Sequence, residues 1–173
     1  MIAAKLGDQL LMIGCTSASL LGAISAKVGL SGRACAIVAN DSEAARARRG
    51  AEEAGVLLEI QTGDFERLPF EDATFSLIVV DNQEGMLASM QPEKRVALLQ
   101  QAFRTLIPRG RIVIIERAPR GGLGALFKSS GAAPTTERYA ASGGAVAALH
   151  AEGFRAARPL AERDGLSFFE GVR

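Results

Sequence analysis

The sequence predicts an α/β fold: a doubly wound, mostly parallel sheet closed by a C-terminal antiparallel hairpin. Continuous apolar runs, among them QLLMIG (9–14), ACAIVA (34–39) and FSLIVVD (75–81), alternate with segments of helical periodicity. Strands that are apolar throughout need cover on both faces, and helices between parallel strands supply it. The pattern then changes at the end of the chain, where two short runs flank Asp164-Gly165, a hairpin signal.

The first strand, 9–14, ends in Gly14. TSASLLGAISAKVG (16–29) sets Leu20, Leu21, Ile24 and Val28 at helical spacing, with Gly29 as the stop. After the second strand (34–39), Asn40 reads as a helix N-cap with Glu43 at the capping-box position, and the helix ends near Gly55. VLLEIQTG (56–63) is the third strand and FSLIVVD the fourth. EKRVALLQQAFRTL (93–106) gathers Val96, Leu99, Phe103 and Leu106 on one helical face, PRG (108–110) makes a turn, and RIVIIE (111–116) is the fifth strand. The segment 118–144 is rich in Gly, Ser, Ala and Pro, and is expected to be a mobile loop or lid with room for one short helix. A helix over 144–154 stops at Gly153, and RAARPLAERDG and LSFFEGVR form the closing hairpin.

With 173 residues and no internal repeat, the chain reads as a single domain, 1–173. A net charge of +1 and short, alanine-diluted arginine runs (45–50, 117–120) describe solvated faces, so neither nucleic acid nor membrane is an expected partner. No apolar run reaches the ~18–20 residues of a membrane span, and MIAAKLGD lacks a signal-peptide pattern, so a cytoplasmic location is expected. Cys15 and Cys35 lack metal-ligand spacing and the single His completes no zinc set; no metal is expected, and both thiols should be buried and reduced.

In an open parallel sheet, ligands bind outside the carboxyl ends of the strands, where strand order reverses. That rule selects residues 14–18, 39–41, 63–65 and 80–82. GDFERLPFEDATFSLIVV (63–80) resembles the class I S-adenosylmethionine-dependent methyltransferases, notably the type 11 and ubiquinone/menaquinone-biosynthesis-like group. AFRTLIPRGRIVIIE (102–116) is similar to that family's helix, Leu-x-Pro-Gly-Gly turn and fifth strand, and AEGF (151–154) also matches.

The resemblance implies a Rossmann-like fold, S-adenosylmethionine as cofactor, and methyl transfer to a small-molecule substrate. It implies that Asp64 accepts a hydrogen bond from the adenine amino group, that Phe65 flanks the ring, and that Asp81 lies beside the sulfonium and substrate as the candidate catalytic residue. Gly14, Cys15 and Thr16 fall at the methionyl end, and Asn40 within reach of a ribose hydroxyl. Each has a structural alternative: Asp64 as a turn cap, Phe65 as core, Asp81 and Asn40 as helix caps. Tyr139 either lines a substrate pocket or is a loop residue without a role, and His150 reads as structural.

Three departures from the family pattern stand out. Met12 replaces an acid, and Thr16 and Ala18 replace the second and third glycines of the first turn. A β-branched residue at positive φ would store about 1–3 kcal/mol of strain, so the turn is expected to take another conformation and to grip the methionyl end less tightly. Ala39 replaces the acid that holds the ribose; losing a charged acceptor costs about 1.5–3 kcal/mol. Little sequence precedes residue 9, so a lid must come from 118–144 or from another subunit, through homo-oligomerisation or a partner, or be absent. These departures also suit a non-catalytic descendant that acts through protein–protein contacts. A dinucleotide-dependent oxidoreductase fits less well, since the glycine pattern is poor and no Tyr-x-x-x-Lys follows Tyr139.

Overall fold

The computed structural model describes residues 2–118 and 134–173. Seven strands and six helices follow in the order β1 (Gln9–Ile13), α1 (Ala18–Ala26), β2 (Arg33–Val38), α2 (Asp41–Ala54), β3 (Glu59–Thr62), β4 (Phe75–Asn82), α3 (Met86–Ser89), α4 (Pro92–Thr105), β5 (Leu106–Arg117), α5 (Pro134–Ala141), α6 (Gly144–Ala151), β6 (Arg155–Arg163) and β7 (Leu166–Val172) among the described residues. They form one sheet of order β3-β2-β1-β4-β5-β7-β6. The first five strands in sequence run parallel, and β7 is antiparallel to both β5 and β6. The chain runs outward from β1 to β3, then returns to lay β4 on the other side of β1. The switch point therefore lies between β1 and β4.

The strand period of two divides the apolar residues between two cores. Leu11, Ile13, Ile37, Ile78, Val80, Ile112 and Ile114 face the side covered by Leu87, Leu98, Leu99, Ala102 and Leu149 of α3, α4 and α6. Leu10, Met12, Ala36, Val38, Leu77, Val79, Val113 and Ile115 face Leu21, Ile24, Ala44 and Ala47 of α1 and α2. Each large side chain so buried contributes about 1.5–3 kcal/mol. The continuous apolar runs are thus explained: both faces of the central strands are covered.

Helices α1 and α2 cross almost backbone to backbone. A Cβ on Gly22 would collide with the Gly50 carbonyl, and one on Gly50 with the Ala18 carbonyl. A glycine inside a helix costs about 1 kcal/mol against alanine, and here the close crossing offsets it.

Several boundaries differ from expectation. Strand β3 starts at Glu59 rather than at residue 56, because it is an edge strand paired only with β2 and Leu57 is 86% exposed. Helix α1 starts at Ala18, since Ser17 accepts a hydrogen bond from Leu20 N as its N-cap. The short α3 carries no periodic signal of its own. The expected turn at 108–110 is a bulge inside β5: the pairing steps from Phe75–Leu106 to Leu77–Arg111, and Arg109 sits at φ +66°. Arg109 N donates to Arg173 O, and the Arg173 guanidinium donates to the Arg104 and Leu106 carbonyls, which pins that distortion. Within the expected loop of 118–144, residues 134–141 form α5, while 119–133 lie outside the described residues. The hairpin is as expected: Asp164 and Gly165, at φ +54° and +73°, make the primed turn that matches strand twist.

Candidate functional site

The end of β1 supplies the first wall of a crevice of about 300 Å³ at the carboxyl ends of the central strands. Gly14 turns the chain at φ +80°, and a Cβ there would lie 3.3 Å from the Asp81 carbonyl oxygen. Its N–H donates to Ile37 O at 2.9 Å. Thr16 is not among the residues with positive φ, so its β-branched side chain is spared the strain of the left-handed region.

What holds this turn is Asp81. Thr16 N donates to Asp81 Oδ2 at 2.7 Å, while Gln83 N and Nε2 donate to Oδ1 at 3.3 and 3.0 Å. The carboxylate is 4% exposed, and both of its oxygens are engaged. From the other side, Arg46 Nη1 of α2 donates to Cys15 O at 2.5 Å. Burial, and then the charge of Asp81, push the Cys15 thiol up to about 11, so it is protonated at neutral pH and is no nucleophile.

The end of β2 departs from the sequence reading. Asn40 Oδ1 accepts from Glu43 N at 3.0 Å, the capping role, and its side chain is not part of the crevice wall. Ala39 and Glu43 form the wall instead. Glu43 Oε2 reaches back to accept from Ala39 N at 3.3 Å, and Asn40 Nδ2 donates to Oε1 at 3.4 Å. A carboxylate therefore stands at the end of β2 after all, delivered from the first turn of α2. The capping-box signal marked Glu43 in the sequence, but its position beside the crevice depends on how α2 docks.

Beyond the end of β3, Asp64 is exposed and Phe65 buried, and both line the crevice. Phe65 is also part of the core beneath it. Gly14, Cys15, Thr16, Asp64, Phe65 and Asp81 thus meet around one space, and Asn40 does not. His150 lies exposed on α6, and Tyr139 is buried outside this crevice. The wall carries Glu43, Asp64, Glu66, Asp81 and Glu84 against Arg46 and Lys94, and Lys94 pairs with Glu66 at 2.7 Å. This excess of carboxylate suits a cationic ligand with exocyclic amine and hydroxyl donors. Among the described residues no cluster of His, Cys, Asp and Glu suits a metal ion, and no helix is long and apolar enough to cross a membrane.

A crevice walled by carboxylates at the switch point of a parallel sheet, with an antiparallel hairpin at its edge, is that of a class I S-adenosylmethionine-dependent methyltransferase. The chain belongs to that class: residues 10–110 match the family described as "Methyltransferase domain". It is 33% identical over 87 residues to the ubiquinone/menaquinone biosynthesis C-methyltransferase UbiE of Ruegeria sp. (strain TM1040), a match covering 49% of this chain and 33% of that protein. The match thus spans about a third of that relative's length. A SAM-dependent methyltransferase from Aquifex aeolicus superposes with a TM-score of 0.71 at 18% identity, covering 99% of this chain and 85% of that one. PigF, solved with SAH, gives 0.66 at 18% identity over 96% and 50% of the two chains. S-adenosylmethionine is the cofactor of the class, and the carboxylates of Glu43, Asp64 and Asp81 around the crevice are of a chemistry that suits a cationic ligand with amine and hydroxyl donors.

Proposed function

We propose that the chain transfers the methyl group of S-adenosylmethionine to a small-molecule acceptor. The observation that carries this reading is the meeting of Glu43 from the first turn of α2, Asp64 from beyond β3 and Asp81 from the end of β4 around the crevice that Gly14 opens. When bound, the cofactor supplies a methyl group already activated by the positive sulfur. The protein's task is then chiefly to position and to exclude water.

Asp64 accepts the adenine amino group, and Phe65 offers it an apolar wall. Glu43 accepts the ribose hydroxyls, replacing the acid that Ala39 lacks. The backbone of residues 14–16 closes on the methionyl end. Asp81 fixes that backbone through Thr16 N and sets a negative charge beside the sulfonium. With three donors on its two oxygens, Asp81 serves as an electrostatic and positioning group rather than as the base that takes the acceptor's proton.

Calorimetric titration with S-adenosylmethionine and S-adenosylhomocysteine tests the reading. Micromolar binding is expected, and at 100 times its Kd the ligand should stabilise the fold by about 2.7 kcal/mol. Asp64→Ala should abolish binding and His150→Ala leave it unchanged. No heat and no thermal shift at millimolar ligand would refute the proposal.

A further inference from the structure

A second cavity, of about 250 Å³, lies at the carboxyl ends of β4 and β5 and shares a wall with the cofactor crevice. Along 81–88, Asp81, Glu84 and Met86 line the crevice, whereas Asn82, Gln83, Gly85 and Ala88 line the second cavity. Gln83 joins the two, since its Nε2 donates to Asp81 Oδ1.

Glu116, at the end of β5, dominates this second space. Tyr139 OH donates to Glu116 Oε1 at 2.9 Å, and Asn82 Nδ2 donates to the same oxygen at 2.8 Å. Both donors are buried. Asn82 is 3% exposed and its Oδ1 accepts from Leu87 N at 2.7 Å, which fixes the amide's orientation. Tyr139 is 5% exposed, and the Arg95 guanidinium lies 4.9 Å from its ring centroid. Burial, reinforced by the charge of Glu116, raises the Tyr139 hydroxyl well above the usual tyrosine range, so it remains a neutral donor.

Arg117 also lines this cavity, but it is exposed and forms no ion pair with Glu116, so the oriented carboxylate carries no bound counter-charge among the described residues. Arg95 spends a donor on Leu87 O rather than on Glu116. Among the described residues no basic side chain forms an ion pair with Glu116, and Oε2 accepts no hydrogen bond. A half-buried carboxylate, oriented by two neutral donors on one oxygen and beside an open cavity, is complementary to a cation with N–H donors.

Resting on the methyltransferase reading, we infer that Glu116 binds the ammonium group of an amine-bearing methyl acceptor in this cavity, with Tyr139 and Asn82 as the residues that position its carboxylate. The test uses phenethylamine and its neutral counterpart 2-phenylethanol as probes, titrated by NMR into protein saturated with S-adenosylhomocysteine. The amine is expected to bind at least tenfold more tightly than the alcohol, with shifts at the amides of residues 82–88. Glu116→Gln should remove that preference and leave the alcohol unchanged. Glu116→Asp should restore part of it, and Tyr139→Phe should weaken it without abolishing it. Equal binding of amine and alcohol, or a preference that survives in Glu116→Gln, would overturn the inference. S-adenosylhomocysteine titrated into the same samples separates the two failures. Its binding by wild type without any amine preference refutes the acceptor site alone, and its failure to bind refutes the methyltransferase reading.

Discussion

The carboxylate of Glu43 closes a capping box and at the same time walls the crevice. The two roles separate by substitution. Glu43→Gln keeps an oxygen acceptor for Ala39 N, so the urea midpoint should barely move. The affinity for adenosine should fall by about 1.5–3 kcal/mol as the charged acceptor is lost. 2′,3′-Dideoxyadenosine, which lacks the hydroxyls, should bind the two proteins equally. Glu43→Ala should also lose about 1 kcal/mol of stability with the cap, read from the same urea curves. At this scale the sequence was legible where chemistry is local. Gly14 needs its positive φ, and Asp64 and Phe65 follow a strand end directly. It was ambiguous at Asn40, because a helix cap and a hydroxyl acceptor call for the same oxygen. Glu116 and Tyr139 could not be paired from sequence, since strand register and the docking of α5 bring them together.

The α1–α2 crossing decides where Glu43 and Arg46 stand relative to the turn after β1. Gly50→Ala would drive a methyl group into the Ala18 carbonyl, although alanine is the better helix former. Overpacking of this kind costs about 1–3 kcal/mol, and the displaced α2 should also release the Arg46–Cys15 hydrogen bond. Urea denaturation together with S-adenosylhomocysteine titration of Gly50→Ala should show both losses; a gain in stability would mean that the crossing is looser than described. The helix over SEAARARRGAEEAG was legible from its caps, but the purpose of its central glycine was not, because that glycine answers to another helix. The same holds for β5. PRG is a sound turn signal, yet Arg173 at the far end of the chain holds it as a bulge within a strand. The hairpin turn, by contrast, is set by its own two residues.

The sheet as a whole was predictable because burial on both faces leaves its strands apolar from end to end. The limits of β3 were not, since VLLEIQTG is apolar where it leaves the sheet and polar where it pairs. The molecule's response to alkali follows from burial too. Burial pushes the thiols of Cys15 and Cys35 from their ordinary value of 9.0 up to about 11, and Tyr139 shifts the same way. A folded-state pKa raised above the unfolded value gives stability that is whole below the unfolded pKa and is lost as pH rises through the folded one. Melting temperature should therefore fall between pH 9 and 11, and the double variant Cys15→Ala, Cys35→Ala should show a shallower decline after correction for its lower baseline. The two thiols also lie in different cores, Cys35 under the α3–α4 layer and Cys15 under the α1–α2 layer. Each is thus a separate chemical clock for its own half of the protein: a reagent that modifies Cys15 while sparing Cys35 times the lifting of the layer that carries Arg46, and equal rates at both time the unravelling of the whole sheet.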